Sequence, residues 1–349
     1  MKAMQVHDFV SDYTNLDKIM TMSNDIEIPK PKKDQILLKV LACSISPGDL
    51  IMVQGNLKFL HPDKFPFVPG MDVCGVVVDT NGHDTKFQKG DTVVASNGIA
   101  AIGGMAEYMA VDVIEVVHKP TNVSPEVAAS SSSAITARNA VLDNVNEGDR
   151  VLILGGSGGV GSAAITLAKH HAKASFVATT SSQTQLCTSL GADTVINYKT
   201  DNWWEMDWKG QPFDKIIDTV GGGNYTNRAT KQGILKTGKQ GGAFIAVCGD
   251  EPKPDANTWW KAIKFMSKMP LRPMYTWFMK HRVPSYVMIM PYNIPQGRKQ
   301  VLDMINDGGL TIPLDSKTSS LRFTENDVRK AFAIVASHHA HGKVVVSMK

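Results

Sequence analysis

The sequence predicts a two-unit α/β chain. A β-rich unit covers residues 1–125, and a doubly wound parallel sheet covers residues 126–300. Three observations carry this. In the first 120 residues, Pro and Gly break apolar runs about every 8–15 positions, the spacing of a small barrel or sandwich. After Ser124 short apolar strands alternate with helices, which requires a parallel sheet covered on both faces. Within that second part, Val151–Lys169 (VLILGGSGGVGSAAITLAK) runs from an apolar strand through a glycine turn into an alanine-rich helix.

In chain order, Ile36–Ile45 and Asp72–Asp79 read as buried strands. Lys89-Gly90-Asp91 turns the chain into Thr92–Ala95, and Ala106–Val117 holds two more short strands. Ser124-Pro125-Glu126 opens a helix that runs to about Asp143. The hydroxyl suits the N-cap, the proline ring the first helical position, and the carboxylate the positive end of the dipole. Beyond Asn146–Asp149, strands are expected at Arg150–Leu154, Ser175–Thr180, Thr194–Asn197, Phe213–Thr219 and Gly242–Cys248. Helices at Gly161–His171, Gln183–Leu190 and Tyr225–Leu235 separate them. Glu325–Ala336 reads as a helix and Lys343–Ser347 as a last strand.

Composition narrows the function. With 349 residues, 43% hydrophobic and 20% charged, the chain is long enough for two cores and too apolar for disorder. No run approaches the ~18 apolar residues of a bilayer span. The first 30 residues hold five acids and no Arg, so neither a secretory signal nor a transit peptide is expected, and the expected location is the cytoplasm or an organelle stroma. The four cysteines, Cys43, Cys74, Cys187 and Cys248, form no CxxC, which excludes a paired-cysteine zinc lobe. The net charge of +4 hides an asymmetry: residues 256–302 carry eight Lys and Arg and no Asp or Glu, so the remainder is net acidic. No nucleic-acid reading module accompanies that segment, and no nucleic-acid partner is expected.

The glycine turn is the strongest chemical signal. Gly156, Gly158 and Gly161 satisfy GxGxxG in the strand–turn–helix setting of a dinucleotide site. There the backbone approaches a pyrophosphate and the helix N-terminus offers free N–H groups. Gly156, Ser157, Gly158, Gly159, Val160 and Gly161 are therefore candidate cofactor residues. A glycine turn used only for close helix–sheet packing is the structural alternative, and no GK[ST] closes a phosphate loop of the other kind. The next strand ends in Thr179, Thr180, Ser181 and Ser182, where a site for NAD places an acid on the ribose 2′-hydroxyl. Hydroxyls leave room for a 2′-phosphate, which favours NADPH; a helix cap is the other reading. Tyr198 is placed to stack on adenine. Cys248 and Gly249, after a later parallel strand, are expected near the dinucleotide.

Together these segments resemble the zinc-free branch of the medium-chain dehydrogenase/reductase superfamily, of quinone oxidoreductase type. Ile36–Gly55 is similar to its strand and "SxNPxDxxxxxG" segment, and Pro69–Val77 (PGMDVCGVV) to "PGxDxxGxV". Gly103–Tyr108 (GGMAEY), Val151–Lys169, Leu190–Asp193, Phe213–Gly222 and Gly342–Val346 (GKVVV) also match. Lys64-Phe65-Pro66 and the Trp/Lys/Met-rich stretch after Trp259 look most like the chloroplast-envelope quinone oxidoreductase homologues. The resemblance implies a GroES-like β domain over residues 1–125 completed by residues 301–349, a Rossmann domain, a substrate cleft between them and a homodimer joined at the Rossmann sheet edge.

Residue by residue, the resemblance also implies that no metal is held. The zinc-ligand positions of relatives are Ser46, Met71 and, near the third, Ser132. Thr136 is implied to lie near the nicotinamide. The reaction so implied is NADPH-dependent hydride transfer to a quinone or to the C=C of an α,β-unsaturated carbonyl. Ser46 and Thr136 are the candidate hydroxyl donors to the developing enolate. A zinc-free reductase of simple carbonyls and a non-enzymatic NADPH-binding protein are the alternatives. Residues 258–282 are read as a wall of the cleft and dimer support, or as a peripheral membrane contact, because helical spacing sets Lys261, Lys264 and Lys268 opposite Trp259, Ala262, Ile263 and Met266.

Overall fold

The computed structural model describes the chain except residues 57–64, 83–85, 98–102, 209, 223, 249–257, 269, 290–293, 318–320 and 349, and except the side chains at 262, 265 and 268. The chain opens with β1 (Ala3–Val6), helix α1 (Leu16–Ile19) and β2 (Met20–Ser23), and β1 and β2 pair antiparallel. These two strands were not anticipated, because four residues carry too little alternation to be read. Then follow β3 (Gln35–Ile45), α2 (Pro47–Val53), β4 (Asp72–Asp79), β5 (Thr92–Ser96), β6 (Tyr108–Asp112) and β7 (Val116–His118). A 3-10 turn at Val113–Glu115 separates the last two strands. The expected helix after Ser124 is two: α3 (Pro125–Ala129), with Val127 N–H donating to the Ser124 hydroxyl, and α4 (Ser131–Leu142).

The parallel part runs β8 (Arg150–Leu154), α5 (Gly159–Thr166), β9 (Phe176–Thr180), α6 (Thr184–Ser189), β10 (Thr194–Ile196), β11 (Lys215–Asp218), α7 (Tyr225–Lys231) and β12 (Ala243–Ala246). Next come α8 (Trp259–Lys268), α9 (Leu271–Phe278), β13 (Ser285–Met288), α10 (Ile294–Asn306), α11 (Glu325–Ala336) and β14 (Val344–Ser347). Strands β10-β9-β8-β11-β12-β13 form one all-parallel sheet, with β13 at its edge. Its strand interiors are continuous apolar runs, as burial on both faces requires. Strands β14-β3-β4-β5-β7 form the second sheet, antiparallel throughout, and β6 also pairs with β3.

Two features set the cleft. First, β14 comes from the far end of the chain and lies beside β3, with Val344 opposite Ile45 and Ser347 opposite Ala42. Second, the expected boundary at 300/301 falls inside α10, and Val301, Leu310 and Ile312 pack with the α4–α5 side of the parallel sheet. The return to the antiparallel sheet comes later, through Leu321, Phe323 and α11, because those residues share its core.

Candidate active site

The C-terminal ends of the central parallel strands converge on the glycine turn. Gly156 N–H donates to Thr180 O, and Gly155 N–H to the Thr180 hydroxyl. Gly158 caps α5, whose first intrahelical bond runs from Ser162 N–H to Gly158 O. The amides of Gly159, Val160 and Gly161 therefore precede that ladder at the positive end of the helix. A Cβ on Gly156 would lie 2.1 Å from Thr179 Oγ1, and one on Gly161 would lie 2.1 Å from Gly155 O. The turn is thus a cradle that side chains cannot enter, which suits a pyrophosphate against the backbone. The positive φ expected in the fingerprint falls on Gly155 (85°), one residue ahead of it.

The hydroxyls after β9 are placed differently from the expectation. Thr179 is fully buried and donates to Ile153 O at 2.8 Å, so it supports the turn from beneath and does not face a ligand. Thr180 is buried and holds Gly155 N–H. Ser181 is buried and accepts from Gln183 N–H, a turn bond two residues on that precedes α6 without capping it. Ser182 is the partly exposed hydroxyl of the run, and Tyr198 is half exposed beyond β10. Cys248 is exposed, with its thiol bonded to Thr219 O; Gly249 lies outside the described residues.

Across the cleft, α2 begins at Ser46. Asp49 Oδ2 accepts both Ser46 N–H and Ser46 O–H at 2.8 Å, and Asp49 Oδ1 accepts Met71 N–H at 3.1 Å. Asp49 is buried, and burial, reinforced by Asp72, pushes its carboxyl up to about 6. Ser46 has one proton, and at neutral pH a carboxylate holds it. Ser46 is therefore tied to the start of α2, the loop-capping alternative to a substrate donor. Thr136 donates to Ser132 O at 3.3 Å, a long bond that is easier to exchange.

The two walls meet where β14 begins. Gly342 N–H donates to Ser157 O at 2.8 Å, and Gly342 bridges Gly158. Lys343, opposite Ser46 by continuation of the β14–β3 register, packs its aliphatic stem against Gly159: a Cβ there would meet Lys343 Cδ at 2.8 Å and Ser133 Oγ at 3.2 Å. Lys343 Nζ is buried with no hydrogen-bond partner. Burial pulls its pKa down, opposed by Asp72, Asp49 and Cys43. Arg298, from α10, is also fully buried; its Nη2 lies 3.7 Å from Asp72 Oδ1 and its Nη1 donates to Glu115 O. Sequence reading missed both cations. The one available signal for Lys343 was a lysine at the mouth of an otherwise apolar strand, GKVVV.

The donor set does not fit zinc. Hydroxyls stand at Ser46 and Ser132 and a thioether at Met71, whose Cε lies 2.7 Å from where Gly48 would carry a Cβ. Among the described residues no group of three His, Cys, Asp or Glu is gathered to hold a metal ion. The dinucleotide does fit: the glycine cradle and the helix N-terminus share one turn, and the Lys343 stem packs beside it.

Comparison with known proteins bears on the family and the fold. The family described as "Alcohol dehydrogenase GroES-like domain" matches residues 32–121, and "Zinc-binding dehydrogenase" matches residues 190–346. The chain is 35% identical over 254 residues to an Arabidopsis thaliana protein named "NADPH-dependent alkenal/one oxidoreductase, chloroplastic", covering 70% of this chain but 62% of that relative. It is 32% identical over 337 residues to "Quinone-oxidoreductase QR1, chloroplastic" of Triphysaria versicolor, covering 92% of each. The solved quinone oxidoreductase of Coxiella burnetii superposes with a TM-score of 0.78 at 25% identity, over 100% of this chain and 99% of that one. The chain belongs to the medium-chain dehydrogenase/reductase family.

Proposed function

We propose that this protein is an NADPH-dependent, zinc-independent reductase of quinones or of the C=C bond of α,β-unsaturated carbonyl compounds. The observation that carries this reading is the junction itself. The glycine cradle on the parallel sheet faces the Ser46–Asp49 helix start across the Gly158–Gly342 bridge, with the Lys343 ammonium between them. The Arabidopsis relative is NADPH-dependent and acts on alkenals and alkenones by name, which supports the cofactor and substrate class.

In this reading the amides of Gly159, Val160 and Gly161 and the Lys343 ammonium hold the pyrophosphate, and Gly156 and Gly158 let it approach. Ser182, the partly exposed hydroxyl after β9, faces the 2′-phosphate, with Tyr198 beside the adenine. NADPH, when bound, supplies the hydride. Thr136 exchanges its long bond to Ser132 O for the substrate carbonyl or the carboxamide, and holds the oxygen on which charge develops. Asp49 positions Ser46 and the start of α2 beneath the substrate. The α-carbon takes its proton from water. The chain's two units are 1–125, rejoined by the C-terminal strand, and a Rossmann unit extending to about Ile312. A homodimer with two-fold symmetry rests on the family resemblance and on the prevalence of such assemblies; β13 is the edge strand of the parallel sheet, and α9 already covers part of that edge. Chloroplastic relatives favour an organelle stroma over the cytoplasm.

The test is NADPH oxidation with a panel of quinones, short enals, long-chain enones and the matching saturated ketones. Turnover of quinones or enones at least about 100-fold above the ketones is the expected result, since the ketones lack the electron-poor β-carbon; a discrimination of this size corresponds to ~3 kcal/mol. Preference for the ketones makes it a simple carbonyl reductase. Tight NADPH binding without turnover of any acceptor makes it a binding protein. Chelation is expected to leave turnover unchanged, and loss of activity together with stoichiometric zinc would refute metal independence.

A further inference from the structure

Helices α8 and α9 carry their apolar residues outward. On α9, Leu271, Met274, Tyr275 and Phe278 recur at i, i+3, i+4 and i+7 and are 53%, 53%, 56% and 67% exposed. The opposite face is polar and holds the helix down: buried Thr276 accepts Tyr286 N–H from β13 at 3.0 Å, and the Arg272 guanidinium lies 4.8 Å over the Tyr286 ring. A helix packed on a globular core does the reverse. On α8, Trp259, Ile263 and Met266 recur at i, i+4 and i+7 and are likewise exposed, as are Trp260 and, on α9, Trp277. Lys261 and Lys264 are exposed on the face of α8 opposite its stripe, Lys280 and Arg282 are exposed just past the end of α9, and no acid occurs from residue 256 to 302.

We propose that α8 and α9 form a docking surface for an anionic lipid bilayer. The apolar stripes enter the headgroup–acyl boundary, and these cations meet the lipid charge. Indole rings favour that boundary, and the pairing of Trp, Phe and Leu with flanking Lys and Arg is what holds helices in the interfacial plane. Charge decides against a second copy of this chain as occupant. A two-fold contact between these surfaces would set a wholly cationic patch against itself, whereas each cation beside an anionic membrane strengthens binding about fivefold. Among the described residues no helix is long and apolar enough to cross the membrane, so attachment is to one face.

The test uses the full chain and unilamellar vesicles, either phosphatidylcholine alone or an equal mixture with phosphatidylglycerol, and needs neither cofactor nor substrate. Sedimentation with the anionic vesicles is expected to be at least about tenfold stronger than with the neutral ones, and to weaken with salt. The Lys261→Glu/Lys264→Glu/Lys280→Glu/Arg282→Glu variant is expected to lose it. Trp277→Ser/Phe278→Ser is expected to weaken it by roughly tenfold or more with charge unchanged. Both variants keep wild-type NADPH affinity, which certifies their fold. A measurement free of variants is quenching of the wild-type tryptophans by brominated lipid, expected with anionic vesicles. Absence of sedimentation and quenching at low salt overturns the proposal. So does binding that a soluble polyanion abolishes and Trp277→Ser/Phe278→Ser leaves intact, or a wild-type oligomer that this variant dissociates.

Discussion

The two walls of the cleft handle their polar groups in opposite ways. On the parallel-sheet wall the hydroxyls of Thr179, Thr180 and Thr219 are bonded to nearby backbone, and what faces the cleft is main chain. On the antiparallel wall four charged side chains, Asp49, Asp72, Arg298 and Lys343, are buried within one small region, and Lys343 Nζ and Arg298 Nε have no hydrogen-bond partner. One side presents main chain whose neighbouring hydroxyls are already bonded; the other gathers buried charge. Rigid backbone suits the invariant part of a dinucleotide, and a buried cation without a hydrogen-bond partner suits an anion that comes and goes.

The comparison breaks first, and hardest, at the cradle. Gly161→Ala sets a Cβ 2.1 Å from a main-chain oxygen, so NADPH affinity is expected to fall roughly 10- to 100-fold by isothermal titration, in line with overpacking costs of ~1–3 kcal/mol. Gly156→Ala meets a side chain, Thr179 Oγ1, instead. Adding Thr179→Ala is expected to restore most of the loss, whereas no side-chain change rescues Gly161→Ala.

Lys343→Met tests the other wall and moves two readouts in opposite directions. NADPH affinity is expected to fall by about 10-fold or more, the worth of a charged hydrogen bond at ~1.5–3 kcal/mol. The ligand-free protein is expected to gain ~1–3 kcal/mol in urea unfolding, because an unpartnered buried ammonium has gone. A loss in both would make Lys343 purely structural.

Asp49 adds a pH signature. Its folded pKa, about 6, is above the ordinary value of 3.8, so the charged form is what the fold disfavours. Stability is therefore gained as pH falls through 6 toward 4 and withheld above 6. Relative to Asp49→Asn, the wild type is expected to gain on the order of 2–3 kcal/mol between pH 7 and pH 4. A flat difference would mean that the carboxylate is not burdened by burial. The smallest effect is expected at Ser182→Asp, which should weaken NADPH against NADH by about 10-fold through repulsion of the 2′-phosphate. Ser181 is the wrong position for that test, since it is buried and an acid there would disturb folding.

Local signals in the sequence carried most of the scaffold. Strands Asp72–Asp79 and Arg150–Leu154 and the Ser124 cap lie where apolar run, turn and capping chemistry agree. The glycine cradle was legible for the same reason, since strand, turn and helix are contiguous. The charged wall was not. Asp49, Asp72, Arg298 and Lys343 are brought together from β3–α2, β4, α10 and β14, and no spacing along the chain encodes that meeting. For Ser46 the sequence left a substrate donor and a loop-capping hydroxyl open, because its acceptor three residues on has to be placed before the two can be told apart. The outward stripe of α9 was hidden because amphipathic spacing predicts that a helix has an apolar face, not which way the face points.

The pairing of β14 with β3 also orders events during synthesis. The strand that closes the antiparallel sheet leaves the ribosome about 300 residues after the strand it joins. Until it arrives, Ile45 lacks its partner Val344, and the glycine turn has neither the Gly342 bond nor the Lys343 stem beside it. The parallel sheet can form earlier from neighbours close in sequence, yet its cofactor seat stays unfinished. Competence for NADPH is thereby gained last, and a nascent chain that lacks its final strand holds a folded cradle without its cation.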